Sequence, residues 1–275
     1  MAYFYADFFP RSSKRGGAWM TNFLEQGTWS GRVMRPHVSI VCNFTKPTAS
    51  QPSLLTHGEV KTLFHEFGHA LHSILSECTY ASVSGTNVYW DFVELPSQVM
   101  ENWAYEAEGL GLFARHFQTS QAMPQQLIDK INNAANFMAG WMSLRQLSFG
   151  FLDMAWHAQD PSDVQEIEAF ERSHLERTLF FPPVAGTAMS PSFSHIFAGG
   201  YSAGYYSYKW AEVLDADAFE YFKEKGIFSK EVAQSFRQNV LSKGGSEHPM
   251  ELYKRFRGRE PDTKALLRRD GLISD

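Results

Sequence analysis

The sequence predicts a mainly α, multi-helical fold with a small β-sheet near the N-terminus. Three observations predict it. Beyond residue 90, apolar residues recur at helical spacing in one segment after another. The strand-like stretches, rich in aromatic and β-branched residues, lie before residue 45. The chain is 275 residues long, 44% hydrophobic and 15% aromatic, which is enough apolar material for a substantial core in one large domain or two smaller ones.

In chain order, residues 3–9, Tyr-Phe-Tyr-Ala-Asp-Phe-Phe, read as a first strand. The basic, glycine-containing run from Arg11 to Gly17 reads as a loop, and residues 37–44, His-Val-Ser-Ile-Val-Cys-Asn-Phe, as a second strand. Pro47 to Pro52 is a loop, and Thr56-His57-Gly58 a turn that opens a helix over 59–72. Two strands ahead of that helix suit a small sheet whose edge could hold an extended peptide. Ala81 to Tyr89, with its Ser, Gly and Asn, is a loop, and a helix starting near Asp91–Phe92 carries Glu94, Gln98 and Glu101. Helices follow at 124–139, 140–158, 162–176, 202–222, 229–242 and 248–257, with a last one near 261–270. Pro182-Pro183, Pro191 and the glycines at 199, 200 and 204 mark a long irregular connection. There is no internal repeat and no low-complexity segment.

Composition narrows the function. A net charge of −5 argues against nucleic-acid or anionic-membrane partners. No apolar stretch reaches the length of a membrane span, and the N-terminal residues do not form a secretory signal. Cys42 and Cys78 are the only cysteines, too few for a disulfide framework, so a reducing, cytoplasmic location is expected.

The helix over 59–72 contains His65-Glu66-Phe67-Gly68-His69. Side chains four apart lie one above the other on a helix, so His65 and His69 can reach one ion at zinc–nitrogen bonding distance. Glu66, one position on, projects to the flank of that ion, where a carboxylate can take a proton from water. The same segment is also compatible with an ordinary amphipathic helix whose buried stripe is Val60, Leu63, Phe64, Phe67 and Leu71. Two histidines on a buried face, however, are costly unless bonded or metallated. A catalytic zinc takes three protein ligands and keeps one position open. Leu75 excludes a third histidine six residues after His69, and His72 is expected to pack or hydrogen-bond nearby. Glu94 offers a carboxylate from the next helix, either as ligand or as a capping group stabilised by the helix dipole. Tyr201, Tyr205 and Tyr208 fall at i, i+4 and i+7, one face of a helix, which on spacing alone reads as core packing.

The pair of segments His65 to His72 and Asp91 to Trp103 (Asp-Phe-Val-Glu-Leu-Pro-Ser-Gln-Val-Met-Glu-Asn-Trp) resembles the thimet oligopeptidase family of zinc peptidases, closest to its bacterial oligopeptidase A and peptidyl-dipeptidase branch. Residues 14–19, 195–208 and 244–261 continue the resemblance in the same order. It implies a zincin-like catalytic domain that binds one Zn2+ through His65, His69 and Glu94. Glu66 would be the general base, and His195, Tyr201 and Tyr208 would contact substrate or steady the tetrahedral intermediate. Tyr205 is a further candidate for substrate contact, with Gly199, Gly200 and Gly204 letting the loop move over bound peptide. Gln98 and Glu101 are candidates to orient the ligands, whereas Lys61 is given no such role. The resemblance covers the C-terminal, catalytic portion of longer enzymes, implying that a helical N-terminal half lies outside this chain. The implied activity is hydrolysis of short oligopeptides. The alternatives are release of C-terminal dipeptides, or a zinc- or peptide-binding fragment without activity. The basic run from Lys254 to Arg259 reads as a solvated face paired with acidic residues elsewhere.

Overall fold

The helix bearing the His-Glu-x-x-His segment, α1 (His57–Ile74), is defined by its cap. Thr56 Oγ1 accepts from Glu59 N, and Glu59 Oε2 accepts in return from Thr56 N. This reciprocal box satisfies two helix-start amides that would otherwise lack partners. Glu59 Oε1 also accepts from Thr45 N and Oγ1, which ties the preceding loop to the helix. His57 and Gly58 are therefore helical, not a turn.

These features come from a computed structural model, which describes residues 2–274. Ahead of α1 lie five strands: β1 (Tyr3–Asp7), β2 (Trp19–Leu24), β3 (Gly27–Trp29), β4 (Arg32–Met34) and β5 (His37–Val41). β5 is central, with β1 parallel on one side (Tyr3 opposite His37) and β2 antiparallel on the other (Trp19 opposite Val41). β3 and β4 form a separate hairpin turned by Ser30 and Gly31, both at positive φ, as a two-residue hairpin turn of this hand requires. Val38 and Ile40 on β5 pack against Leu63, Phe67 and Ala70 of α1, which seats the helix on the sheet.

The remaining helices are α2 (Trp90–Val93), α3 (Leu95–Glu101), α4 (Ala107–Phe113), α5 (Gln125–Ala135), α6 (Ala139–His157), α7 (Ile167–Leu175), α8 (Ser194–Phe197), α9 (Tyr206–Lys225), α10 (Lys230–Phe236), α11 (Pro249–Arg257) and α12 (Thr263–Arg269). A π-helical segment, Arg237–Leu241, extends α10. The main core joins α2, α3, α9, α10 and α11 through Phe92, Leu95, Leu214, Phe222, Phe236 and Leu252. A smaller core around α6, α7 and α8 is built on Leu152, Phe170 and Ile196. The basic run near the C-terminus is paired with acidic residues, but it is not a wholly solvated face, since the side chain of Arg257 is 8% exposed. Arg257 and Arg259 converge on the buried Asp217, which also accepts from Tyr253 Oη at 2.6 Å, and Lys254 reaches Glu260 at 2.7 Å. Both cysteines are buried and free. Among the described residues no helix is long and apolar enough to cross a membrane.

Three further expectations are corrected. The helix expected over 162–176 begins only at Ile167, after a separate single turn at Pro161–Asp163. The helix expected to start near Asp91 is two short helices broken at Glu94, because Pro96 lacks an amide hydrogen and favours a fresh first turn. The helix expected over 202–222 begins only at Tyr206, since Gly200 (φ +85°) and Ala203 (φ +54°) turn the chain ahead of it.

Candidate metal centre and its surroundings

α1 and α3 cross so closely that a Cβ on Gly68 would lie 2.4 Å from Pro96 O and 2.5 Å from Ser97 Cα. A glycine in mid-helix costs about 1 kcal/mol relative to alanine. Here it lets the break at Glu94 approach the histidine face of α1. Glu94 is buried, and its Oε2 lies 3.3 Å from His65 Nε2 and 3.2 Å from His69 Nε2. Ser97 Oγ donates to the same carboxylate oxygen at 2.9 Å and fixes its orientation.

The three ligand atoms fall within 4.8 Å of one another. Donors bound at roughly 2.0–2.1 Å to one tetrahedral ion stand about 3.3–3.4 Å apart. The two imidazole-to-carboxylate separations match that edge. Two imidazoles and one carboxylate at this spacing could hold one metal ion.

The surrounding charges are ordered. Glu101 Oε1 lies 2.6 Å from His65 Nδ1, and Lys61 Nζ lies 2.9 Å from Glu101 Oε2. The carboxylate thus fixes which ring nitrogen of His65 faces Glu94. Lys61 does have an orienting part, through Glu101, contrary to the sequence expectation. Gln98 does not: its Nε2 donates to Tyr208 O at 3.4 Å and ties α3 to α9. Burial acts to lower the His65 pKa, but its hydrogen bonds to Glu101 and Glu94 outweigh this and raise it in the metal-free protein. Burial acts to raise the Glu94 pKa, and the two histidines outweigh it, holding the carboxyl well below its usual range.

Glu66 is 5% exposed, and its Oε2 has no hydrogen-bond partner. Burial raises its pKa, with Glu94 and Glu101 adding to the rise and His65 and His69 opposing it. His72 is fully buried with neither ring nitrogen partnered, and burial pushes its pKa down to about 3. Its Nδ1 and Nε2 meet no carboxylate, and it is not part of the triad.

Tyr201, Tyr205 and Tyr208 do not share a helix face as expected. Tyr208 is in α9, Tyr205 stands at its N-cap position, and Tyr201 opens the turn ahead of it, accepting at its carbonyl from Gly204 N. Their rings nevertheless gather: Tyr201 stacks on Tyr208 at 5.2 Å, and Tyr205 lies 5.1 Å from Tyr208. Burial raises the phenol pKa of both Tyr201 and Tyr208, and the charge of Glu94 adds to it, so both remain protonated donors. His195, on α8, has its ring 6.0 Å from that of Tyr201. With Tyr205 and Tyr208 it lines a cavity of about 1210 Å³ that also reaches His65. Tyr205 packs against Phe149 and Phe193, so part of its ring belongs to the smaller core. Gly200 needs its positive φ, and Gly199 approaches the His195 backbone so closely that a Cβ would lie 2.9 Å from it.

Sequence reasoning missed Trp90, whose ring stacks on Tyr201 at 4.8 Å and 16°. It also missed Gly68, for which an isolated glycine inside a helical pattern was the available signal.

Fold and site together define a mainly α protein with a candidate mononuclear centre of the His-Glu-x-x-His type. The match to the model of peptidase family M3 runs over residues 1–272, and the chain belongs to that family, the thimet oligopeptidase family. It is 48% identical over 273 residues to oligopeptidase A of Escherichia coli (strain K12), covering 98% of this chain and 40% of that protein. Dipeptidyl carboxypeptidase of the same organism is 42% identical over 274 residues, 99% of this chain and 40% of its own length. The organellar oligopeptidase A of Arabidopsis thaliana is 44% identical over 285 residues, covering all of this chain and 36% of that protein. The chain thus spans about two-fifths of the length of these curated relatives. A solved structure described as "The Structure of CHT" has a TM-score of 0.57 at 14% identity, covering 97% of this chain and 54% of that one, and shares the fold.

Proposed function

We propose that this chain is the catalytic portion of a zinc-dependent peptidase acting on short oligopeptides. The observation that carries the proposal is the buried Glu66 carboxylate, one oxygen without a partner, next to a triad spaced for a single zinc ion. His65, His69 and Glu94 would hold the ion. When bound, zinc supplies Lewis acidity that polarises a peptide carbonyl and lowers the pKa of water.

The other roles fall to this chain. Glu66, buried beside the triad with one carboxylate oxygen unpartnered, is the group placed to act as base. It takes a proton from the attacking water and passes it to the departing amine nitrogen. Tyr208 and Tyr201 are kept protonated, so they can donate to the carbonyl oxygen as it gains negative charge. His195, at the wall of the large cavity, is placed to hold the peptide, and Tyr205 shapes the same wall. Gly199 and Gly200 give the loop its turn beside them. The relatives named oligopeptidase A support oligopeptides as the substrate class; the less similar E. coli relative is named a dipeptidyl carboxypeptidase, which keeps release of C-terminal dipeptides as the second reading.

The test is Glu66→Gln. The zinc-loaded chain should cleave a quenched fluorescent peptide, and the variant should keep one zinc per chain while losing most turnover. Comparing peptides with free and amidated C-termini separates the two specificities. Zinc binding without hydrolysis by the unaltered chain would leave a binding fragment, and wild-type turnover by Glu66→Gln would remove the base.

A further inference from the structure

Between the turn that carries Tyr201 and the helix that carries Tyr208, one buried carboxylate holds the chain. Asp153, on α6, is 0% exposed. Its Oδ1 accepts from Ala203 N at 2.9 Å, and its Oδ2 from Tyr205 N at 2.8 Å. His157, one turn along the same helix, places Nδ1 2.8 Å from Oδ1 and 2.8 Å from the Asp153 carbonyl oxygen. Each carboxylate oxygen therefore takes one amide on either side of Gly204. Charge-assisted bonds of this kind are stronger than neutral ones.

The residue held is a strained one. Ala203 has φ +54°, a left-handed conformation that costs a residue with a Cβ about 1 kcal/mol or more. No glycine relieves it at that position, so an external clamp must over-determine the turn. The turn's far side is braced by Trp90, which stacks on Tyr201 and packs so near Gly200 and Gly204 that a Cβ on either would lie 3.5 Å from its ring. The backbone path between the two phenols is thus set from α6 and α2, neither of which carries a candidate metal ligand.

We propose that Asp153 is a positioning residue for hydrolysis: it fixes the 201–205 turn so that Tyr201 and Tyr208 meet the developing oxyanion together. This rests on the peptidase assignment above. Asp153 reaches no substrate atom; it acts only through the turn. Because oxyanion donors act in the transition state, their misplacement lowers kcat and leaves KM nearly unchanged.

The experiment compares the zinc-loaded chain with Asp153→Asn, which keeps the shape and loses one of the two backbone acceptors. Zinc stoichiometry should stay at the wild-type value, kcat should fall roughly 10- to 100-fold, and KM should change little. The double variant Asp153→Asn/Tyr208→Phe should be little worse than Tyr208→Phe alone, since both changes act on one device. Adding Ala203→Gly should restore part of the lost kcat by removing the strain that Asp153 restrains. It also supplies a second variant should Asp153→Asn fold poorly. Losses that add with Tyr208→Phe, or no rescue by Ala203→Gly, would overturn the proposal. Trp90 emission, read as the difference from a Trp90→Phe background, needs no turnover and should change in Asp153→Asn as the stacked Tyr201 shifts. If the unaltered chain hydrolyses nothing, the peptidase reading fails. An unchanged Trp90 emission would separately overturn the positioning role.

Discussion

Replacing Gly68 by alanine should loosen the third ligand without touching any ligand. The added Cβ would meet Pro96 O at 2.4 Å, Ser97 Cα at 2.5 Å and Pro96 C at 2.9 Å, all backbone atoms that no rotamer change can move aside. To regain ordinary contact, α3 must retreat by roughly 1 Å. Glu94 precedes α3 and is held by Ser97, so its carboxylate retreats as well. Overpacking of this kind costs about 1–3 kcal/mol, offset by about 1 kcal/mol from the better helix propensity of alanine. The net expectation is a destabilisation of up to about 2 kcal/mol in metal-free protein. Zinc affinity should fall by about 10- to 100-fold, the usual loss when a ligand's support is removed. Urea unfolding in chelator measures the first, and competition against a zinc-binding dye the second. Wild-type stability together with wild-type affinity would refute the close crossing of α1 and α3.

Three other outcomes follow from the same geometry. Glu101→Gln removes the charge that orients His65 and neutralises Lys61, so zinc affinity should fall about 10-fold or more by the same dye competition, with the secondary structure unchanged by circular dichroism. His72 makes the fold sensitive to acid. Its folded pKa, pushed down to about 3 by burial, lies below the unfolded value near 6.5, so its contribution is complete above pH 6.5 and is lost as pH falls towards 3. That loss amounts to about 1.4 kcal/mol per pH unit across the window. His72→Leu should flatten this part of the urea-midpoint profile between pH 6.5 and 4, and an unchanged slope would show that His72 charges without cost. Trp90→Phe shrinks the ring stacked on Tyr201, so kcat on the fluorescent peptide should fall a few-fold with zinc still bound; a larger effect on KM than on kcat would contradict its bracing role.

Much of the site was legible because it is local. His65, Glu66 and His69 needed only a helix, and a helix needed only its period. Glu94 was reached through resemblance, since a contact between the break at residue 94 and α1 depends on Gly68, a residue whose importance appears only when two backbones meet. Strands at 3–9 and 37–44 were anticipated from aromatic and β-branched runs, and they correspond to β1 and β5. β2 and the β3–β4 hairpin were not, because Trp19 to Met34 mixes polar and apolar residues around a turn whose residues, Ser30 and Gly31, are common in loops of every kind. The start of α9 was misplaced for a conformational reason. Periodicity continues through Tyr201 and Tyr205, while a positive φ at Gly200 and Ala203 breaks the helix without breaking the pattern. Asp153 and Trp90 were invisible because what each touches lies about fifty or more than a hundred residues away in sequence.

The central claim is that two imidazoles and one carboxylate gather on a single zinc ion beside a base that does not bind it. X-ray absorption at the zinc edge, on the wild-type chain and on Glu66→Gln and Glu94→Gln, addresses it directly. The account predicts a four-coordinate nitrogen and oxygen shell near 2.0–2.1 Å that includes two imidazoles. It should be unchanged in Glu66→Gln and altered, with weakened binding, in Glu94→Gln. A sulfur-containing shell, a single imidazole, or a shell perturbed by Glu66→Gln and indifferent to Glu94→Gln would contradict it.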